Sequence, residues 1–358
     1  MGVSDPLAAR LRGLLVGAAV GDALGLPAEG LSRQRIRRLF GTCWRQRLLF
    51  GYGMVSDDTE HTVFVAQSLL RHPAAPERFA RRLGWCLRGW LLSLPAGIGF
   101  ATARAIGKLW LGFPPNRSGV YSAGNGPAMR VAVIGACFAT DANRRAAYIA
   151  ASTRLTHTDP KALTGATAIA ELAAWIVRER LTERPALEAF VALLRSCGPE
   201  DREWLAAVDA MAQAARDDVA VPDLADRLGL ARGVTGYIHH TVPVTAYAWF
   251  RHCGDFRRTL TAVLDCGGDT DTTGAIVGAL AGAMTGTAGI PAEWRSRTAD
   301  WPRSLSLLEA IADRLSAVIA TGRPADPVRY FWPAIPLRNL VFLLIVLAHG
   351  FRRLLPPY

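Results

Sequence analysis

Glycine recurs every fourth residue in two distant stretches of this chain, at Gly13, Gly17, Gly21 and Gly25 and again at Gly274, Gly278, Gly282 and Gly286. The residues between them are mostly small or apolar, which is the pattern of two helices, one near 7–25 and one near 271–286. Each glycine costs a helix about 1 kcal/mol relative to alanine, so a repeated stripe needs compensation from close backbone packing. In a bilayer the same spacing forms a small-residue dimerisation face. Asp269 and Asp271 at the head of the second stretch, with no basic flank there, favour a buried core helix. The two stripes are expected to pack against each other.

Helical periodicity continues through most of the chain, with Pro and Gly clusters between segments and few alternating, strand-like runs. Further helices are expected near 58–71, 76–92, 127–138, 143–153, 160–180, 186–196, 202–216, 241–253, 255–265 and 303–319. The fold class expected is all-α: a single compact multi-helix domain over 1–320. A Pro- and aromatic-rich linker with an apolar C-terminal helix follows over 321–358.

The formal charge is +11, from 41 Lys+Arg against 30 Asp+Glu, and only Lys108 and Lys161 are lysines. Such a field attracts anionic partners. The arginines are scattered and carry no nucleic-acid motif, so no specific nucleic-acid partner is expected. Six cysteines without Cys-x-x-Cys spacing, and an opening stretch with an early Asp and Pro and no apolar run, point to free thiols in the cytoplasm.

Two segments concentrate hard oxygen donors. In "SDDTEHT", Ser56, Asp57, Asp58 and Thr59 stand in a row before an apolar run. Asp57 with Glu60 three residues later has the form of a capping box, the bland reading of this segment. In "GGDTDTTG", Asp269, Thr270, Asp271, Thr272 and Thr273 repeat the arrangement at another helix start. One cap needs one short acceptor. The surplus suits Mg²⁺ or Mn²⁺, and two such clusters brought together would make a binuclear site. Asp269-x-Asp271-x-Thr273 also resembles the nucleophile motif of haloacid dehalogenase-like phosphatases, but no apolar strand runs into it and no lysine follows residue 161. "GNGPAMR", Gly124 to Arg130, is a glycine turn entering a helix, where backbone N–H groups can receive a pyrophosphate. "THTDP" sets His157 just before a proline-started helix. Either could equally be structural.

Taken in order, "GAAVGDALGLPAEG", "SDDTEHT", "GNGPAMR", "THTDP", "TVPVTAYAWF" and "GGDTDTTGAIVGALAG" resemble the ADP-ribosylglycohydrolase family over roughly residues 11–300. The resemblance implies an all-helical fold with two divalent cations, Mg²⁺ or Mn²⁺, in a cleft. It implies Ser56, Asp57, Asp58, Asp269, Asp271 and Thr272 as metal ligands. It further implies a diphosphate and ribose site at Gly124, Asn125, Gly126 and Met129, and an adenosine-side contact at His157. Glu29 matches an acidic residue near the metals in some relatives. With Asp58 and Asp271 it makes the catalytic set, although which acid is the general base stays open. Some relatives have an acid before the Gly-Ile segment, where this chain has Pro95 and Ala96. The activity implied is hydrolysis of the bond between ADP-ribose and a modified side chain, arginine first, in a protein or an ADP-ribose-containing small molecule. The alternative is a non-catalytic ADP-ribose-binding or immunity-type module.

The tail has nine uninterrupted apolar residues, Leu340 to Ala348, between Arg338 and the pair Arg352 and Arg353. That is short for a membrane span. An interfacial helix, a segment docked on its own core and an oligomer contact are the three expectations for residues 337–355. The first would place the protein at the inner face of a membrane, and all three treat the tail as an appendage outside the chemistry.

Overall fold

A computed structural model describes residues 6–355. Among these residues there are eighteen α-helices, and strand pairing is limited to Leu31–Ser32 against Gly267–Gly268, antiparallel, with isolated bridges elsewhere. All twelve helices expected from periodicity are present, with ends within three residues of expectation. Arg33–Phe40, Phe100–Trp110 and Val221–Arg227 are additional helices. In Arg33–Phe40 only Ile36 is buried, so the segment has no apolar stripe to announce it.

The two glycine stripes form the centre of the molecule. The N-terminal helix, Pro6–Gly25, runs antiparallel to Thr270–Thr285, and both are buried along almost their whole stripe. A Cβ at Gly13 would lie 2.0 Å from the Gly282 carbonyl oxygen. At Gly17 it would lie 2.2 Å from that of Gly278, and at Gly21 2.0 Å from that of Gly274. No side chain fits, so the helices touch backbone to backbone. Leu305–Thr321 packs on the first stripe helix, and Ala128–Cys137, Pro160–Arg178, Ile238–Arg251 and Phe256–Leu264 surround the second. All six cysteines are free thiols, as expected.

Of the three expectations for the tail, the structure shows the segment docked on its own core. Its helix, Ile335–Arg352, docks on the body of its own chain through buried Ile335, Arg338, Asn339 and Phe342. The Arg338 guanidinium donates to the Val55 carbonyl at 2.6 Å and to the Asp300 carboxylate, and stands 3.7 Å from the Glu60 carboxylate. Asn339 Nδ2 donates to the Ser93 carbonyl at 2.8 Å. Glu60 also accepts from Arg303 and, at 2.5 Å, from the Trp90 indole. Glu60 is therefore spent on an ion-pair network under the tail and does not close a capping box with Asp57.

Removing one partner of a buried ion pair strands the other charge. Arg338→Ala should lower unfolding stability by about 3 kcal/mol, read by denaturant titration. Arg338→Lys should recover only part, because an ammonium cannot reach Val55, Asp300 and Glu60 together.

Candidate active site

The stripe contact places the acids. Gly25 lies against the Thr270 backbone, and the Thr270 hydroxyl donates to the Gly25 carbonyl at 2.8 Å. The residues flanking this crossing, Asp22 and Asp271, are thereby brought to the same place. The helix Asp57–Arg71 delivers Asp58 to it. Carboxylate oxygens of Asp22, Asp58 and Asp271 all lie within 4.8 Å of one another, and all three residues are buried.

Asp22 is absent from the site residues expected from sequence, yet it lies at the floor. Its carboxylate accepts from the Ser56 N–H at 2.9 and 3.0 Å, the Thr59 N–H at 3.2 Å and the Thr59 hydroxyl at 2.5 Å. Those four bonds pin the first turn of the Asp57 helix. Burial pushes the Asp22 carboxyl up to about 7 despite them. One signal could have exposed it: Asp22 is the lone charged residue between Leu14 and Ala28.

Neither acid cluster is spent on capping. The cap of the Asp57 helix is Ser56, whose Oγ accepts from the Asp58 N–H at 3.3 Å. Asp269 occupies the cap position of the Thr270 helix but makes no side-chain cap bond, and its carboxylate instead accepts from Asn125 Nδ2 at 2.7 Å. Gly267 and Gly268, both at positive φ, turn the chain into Asp269. A Cβ at Gly268 would lie 2.0 Å from the Val234 carbonyl oxygen, so this turn also depends on glycine.

Asp58 Oδ2 accepts from the Ser56 hydroxyl at 3.1 Å and from the Thr272 hydroxyl at 3.2 Å, which joins the two clusters directly. Its Oδ1 is buried without a partner. Burial, then the neighbouring acids, raise the Asp57, Asp58 and Asp271 carboxyls well above the usual carboxylate range. Crowded carboxylates with an orphaned oxygen and adjacent hydroxyls are the donor set a hard divalent cation satisfies.

Above this floor opens a cavity of about 740 Å³. Every site residue expected from sequence lines it: Glu29, Ser56, Asp57, Asp58, Asp269, Asp271 and Thr272 on one side, Gly124, Asn125, Gly126, Met129 and His157 on the other. Glu29 stands at the exposed mouth. Shielding by surrounding protein, then the Asp269 charge, raise its carboxyl above the usual range, with Arg353 opposing. Ala96 to Thr102 form a lip that carries no acid, and Phe342 and Val346 of the tail helix complete the wall.

At the far end the His157 ring packs against the glycine turn, where a Cβ on Gly124 would come within 3.0 Å of Nε2. Asn125 N–H donates to the Gly236 carbonyl at 2.9 Å, while the Gly126 N–H has no hydrogen-bond partner among the described residues. Behind the ring, the buried Arg130 guanidinium donates to Thr156 Oγ1 at 2.7 Å, and that hydroxyl lies 2.9 Å from His157 Nδ1. The chain is satisfied when Thr156 donates to Nδ1, which leaves the proton on Nε2, facing the turn. Burial and then Arg130 push the ring down to about 3, so it is neutral.

Two glycine stripes at the centre of a helical body, with a cleft floored by carboxylates and headed by a glycine turn, define an all-helical protein with an acid-lined cleft. The chain belongs to the ADP-ribosylglycohydrolase family, whose model matches residues 4–325. It is 34% identical to an uncharacterised protein from Archaeoglobus fulgidus, covering 86% of this chain and 95% of that one. It is 26% identical to the ADP-ribosyl-[dinitrogen reductase] glycohydrolase of Rhodospirillum rubrum (80% and 90% covered) and to the ADP-ribosylhydrolase ARH3 of Gallus gallus (81% and 89%). A solved structure titled ADP-ribosylglycohydrolase-related protein complex superposes with a TM-score of 0.65 at 27% identity, covering 88% of this chain and all of that one. The expected family, all-α fold and glycohydrolase class therefore stand, and the family indicates ADP-ribosyl hydrolase activity.

Proposed function

We propose that the protein hydrolyses the glycosidic bond between ADP-ribose and a modified protein side chain, arginine first, releasing ADP-ribose. The observation that carries this reading is a single cavity uniting the carboxylate floor with the Gly124–Gly126 turn and His157. The turn offers the Gly126 N–H and a helix start to the diphosphate, and the neutral His157 offers Nε2–H toward the adenosine side.

Ser56, Asp57, Asp58, Asp269, Asp271 and Thr272 would hold two divalent cations, Mg²⁺ or Mn²⁺, through oxygen donors alone. Such ions, when bound, supply charge neutralisation and Lewis-acid polarisation of the oxygens they contact. Asp22 keeps Ser56 and Asp58 in place by fixing the first turn of their helix. Asp58 and Asp271 fix the ribose end of the substrate over the floor. Cleavage at ribose C1 passes through an oxocarbenium-like state and needs water delivered to that carbon. Glu29, at the mouth with a raised pKa and no competing acid on the Ala96–Thr102 lip, takes the proton from that water as its oxygen bonds to C1, and the nitrogen that leaves C1 with the bonding pair takes up that proton.

The test is incubation of the purified chain with arginine-ADP-ribosylated protein in Mg²⁺ or Mn²⁺, then with chelator. Release of ADP-ribose that stops on chelation is expected. Labelled ADP-ribose that binds without any release in either metal would replace the enzyme with a binding module.

The Arg130–Thr156–His157 relay makes its own prediction. Thr156→Val removes the donor to Nδ1, so His157 should lose its single tautomer in ¹⁵N spectra. KM should rise about tenfold with kcat little changed, the signature of lost ground-state binding. An unchanged tautomer would contradict the relay.

A further inference from the structure

The tail helix has an inner face docked through Ile335, Arg338, Asn339 and Phe342, and an outer face that is apolar. The inner face closes the cleft, as described. On the outer face Leu337, Leu340, Val341, Leu344, Leu347 and Phe351 are between 44% and 67% exposed. Their spacing of three or four residues puts them on one stripe along the helix. A surface helix on a globular body ordinarily turns polar residues outward. The stripe is prolonged by exposed Phe331 and Trp332 before it, with Phe331 beside Trp301, and by exposed Leu354 and Leu355 after it.

Within the tail itself the charged side chains have one sign. From Pro327 to the last residue the sequence contains no Asp or Glu, while Arg329 precedes the stripe and Arg352 follows it; the Arg353 guanidinium is turned to the Pro27 and Glu29 carbonyls. An apolar face with an aromatic end, basic flanks and no acid matches the chemistry of an anionic lipid interface. Two copies meeting on this face would bring arginines toward arginines with no tail carboxylate between them. The helix is about 27 Å long, but Arg338 and Asn339 are bonded into the protein body, which keeps it on a surface and out of a bilayer's core.

We propose that the outer face of Ile335–Arg352 docks on an anionic membrane, which brings the cleft walled by the same helix close to the lipid surface. The docking surface stands on the exposed stripe alone. The orientation of substrate access rests in addition on the cleft being the site of hydrolysis. Since Phe342 and Val346 line the cleft from the same helix, substrates presented at the membrane are the class this placement favours.

The experiment is co-sedimentation of the full chain with phosphatidylcholine vesicles and with vesicles that also contain phosphatidylserine. Binding to the phosphatidylserine vesicles that weakens as salt rises is expected. The outward-facing double variant Leu340→Glu, Leu344→Glu should lose at least about tenfold in partitioning, while keeping its circular dichroism and its rate on a soluble ADP-ribosylated peptide. Equal partitioning of the variant and the unaltered chain would overturn the proposal. So would a dimer in light scattering that the double variant dissociates without any vesicle binding, which would assign the face to a second copy. Vesicle binding by a chain that hydrolyses no ADP-ribosyl bond would leave the docking surface standing and remove the cleft reading.

Discussion

Gly17→Val is expected to leave the protein largely unfolded, with a loss of at least about 4 kcal/mol. The added Cβ would sit 2.2 Å from the Gly278 carbonyl oxygen, and the obstacle is backbone, which cannot rotate away as a side chain could. Relief requires the two central helices to separate, and the helices packed around them follow. Gly89 and Gly107 are the controls. Both lie inside helices where an added Cβ would meet nothing within 4 Å, so alanine there should stabilise by about 0.5–1 kcal/mol through helix propensity. Denaturant titration of the three variants separates the two effects. If Gly17→Val unfolds at the same denaturant concentration as the unaltered chain, the stripes do not pack as described.

Asp271→Ala and Asp58→Ala should each reduce hydrolysis by about a thousandfold or more, because both positioning and charge stabilisation at the ribose depend on the floor they form. The same variants should fold at least as well as the unaltered chain when a chelator is present. Each removes one of several buried like charges whose carboxyls are already forced above their usual range. Catalytic loss without loss of ion-free stability is the pattern that separates a binding floor from a structural cluster. Circular dichroism and turnover on one preparation read both. A variant that loses activity only by unfolding would place these acids in the framework.

The glycine stripes were readable because a fourfold repeat of the poorest non-proline helix residue has few other physical explanations. The two acid clusters were readable as surplus, with more acceptors than a cap requires. Asp22 escaped because a single carboxylate in a helix raises no such surplus, and its role depends on Ser56 and Thr59 arriving from another helix. Glu60 was misleading for a related reason. Its spacing from Asp57 fits a local cap, whereas its partners Trp90, Arg303 and Arg338 come from 30 or more residues away. The tail's apolar run said that something is buried or docked, but not which face. Only the positions of Arg338, Asn339 and Phe342 against the body divide the helix into an inner wall and an outer stripe. The order of motifs carried the family, since six weak segments in sequence are far more specific than any one of them.

The proposed floor of Asp22, Asp58 and Asp271, with the neighbouring Asp57, Asp269, Ser56 and Thr272, is expected to hold divalent cations where the ribose is cleaved. Titration of the ion-free chain with Mn²⁺, followed by the loss of the free-ion electron paramagnetic resonance signal, tests it most directly. Uptake of two ions per chain is expected, with Mg²⁺ competing, and loss of at least one in folded Asp271→Ala. A folded, unaltered chain that takes up no Mn²⁺, or an Asp271→Ala variant that binds as the unaltered chain does, would contradict it.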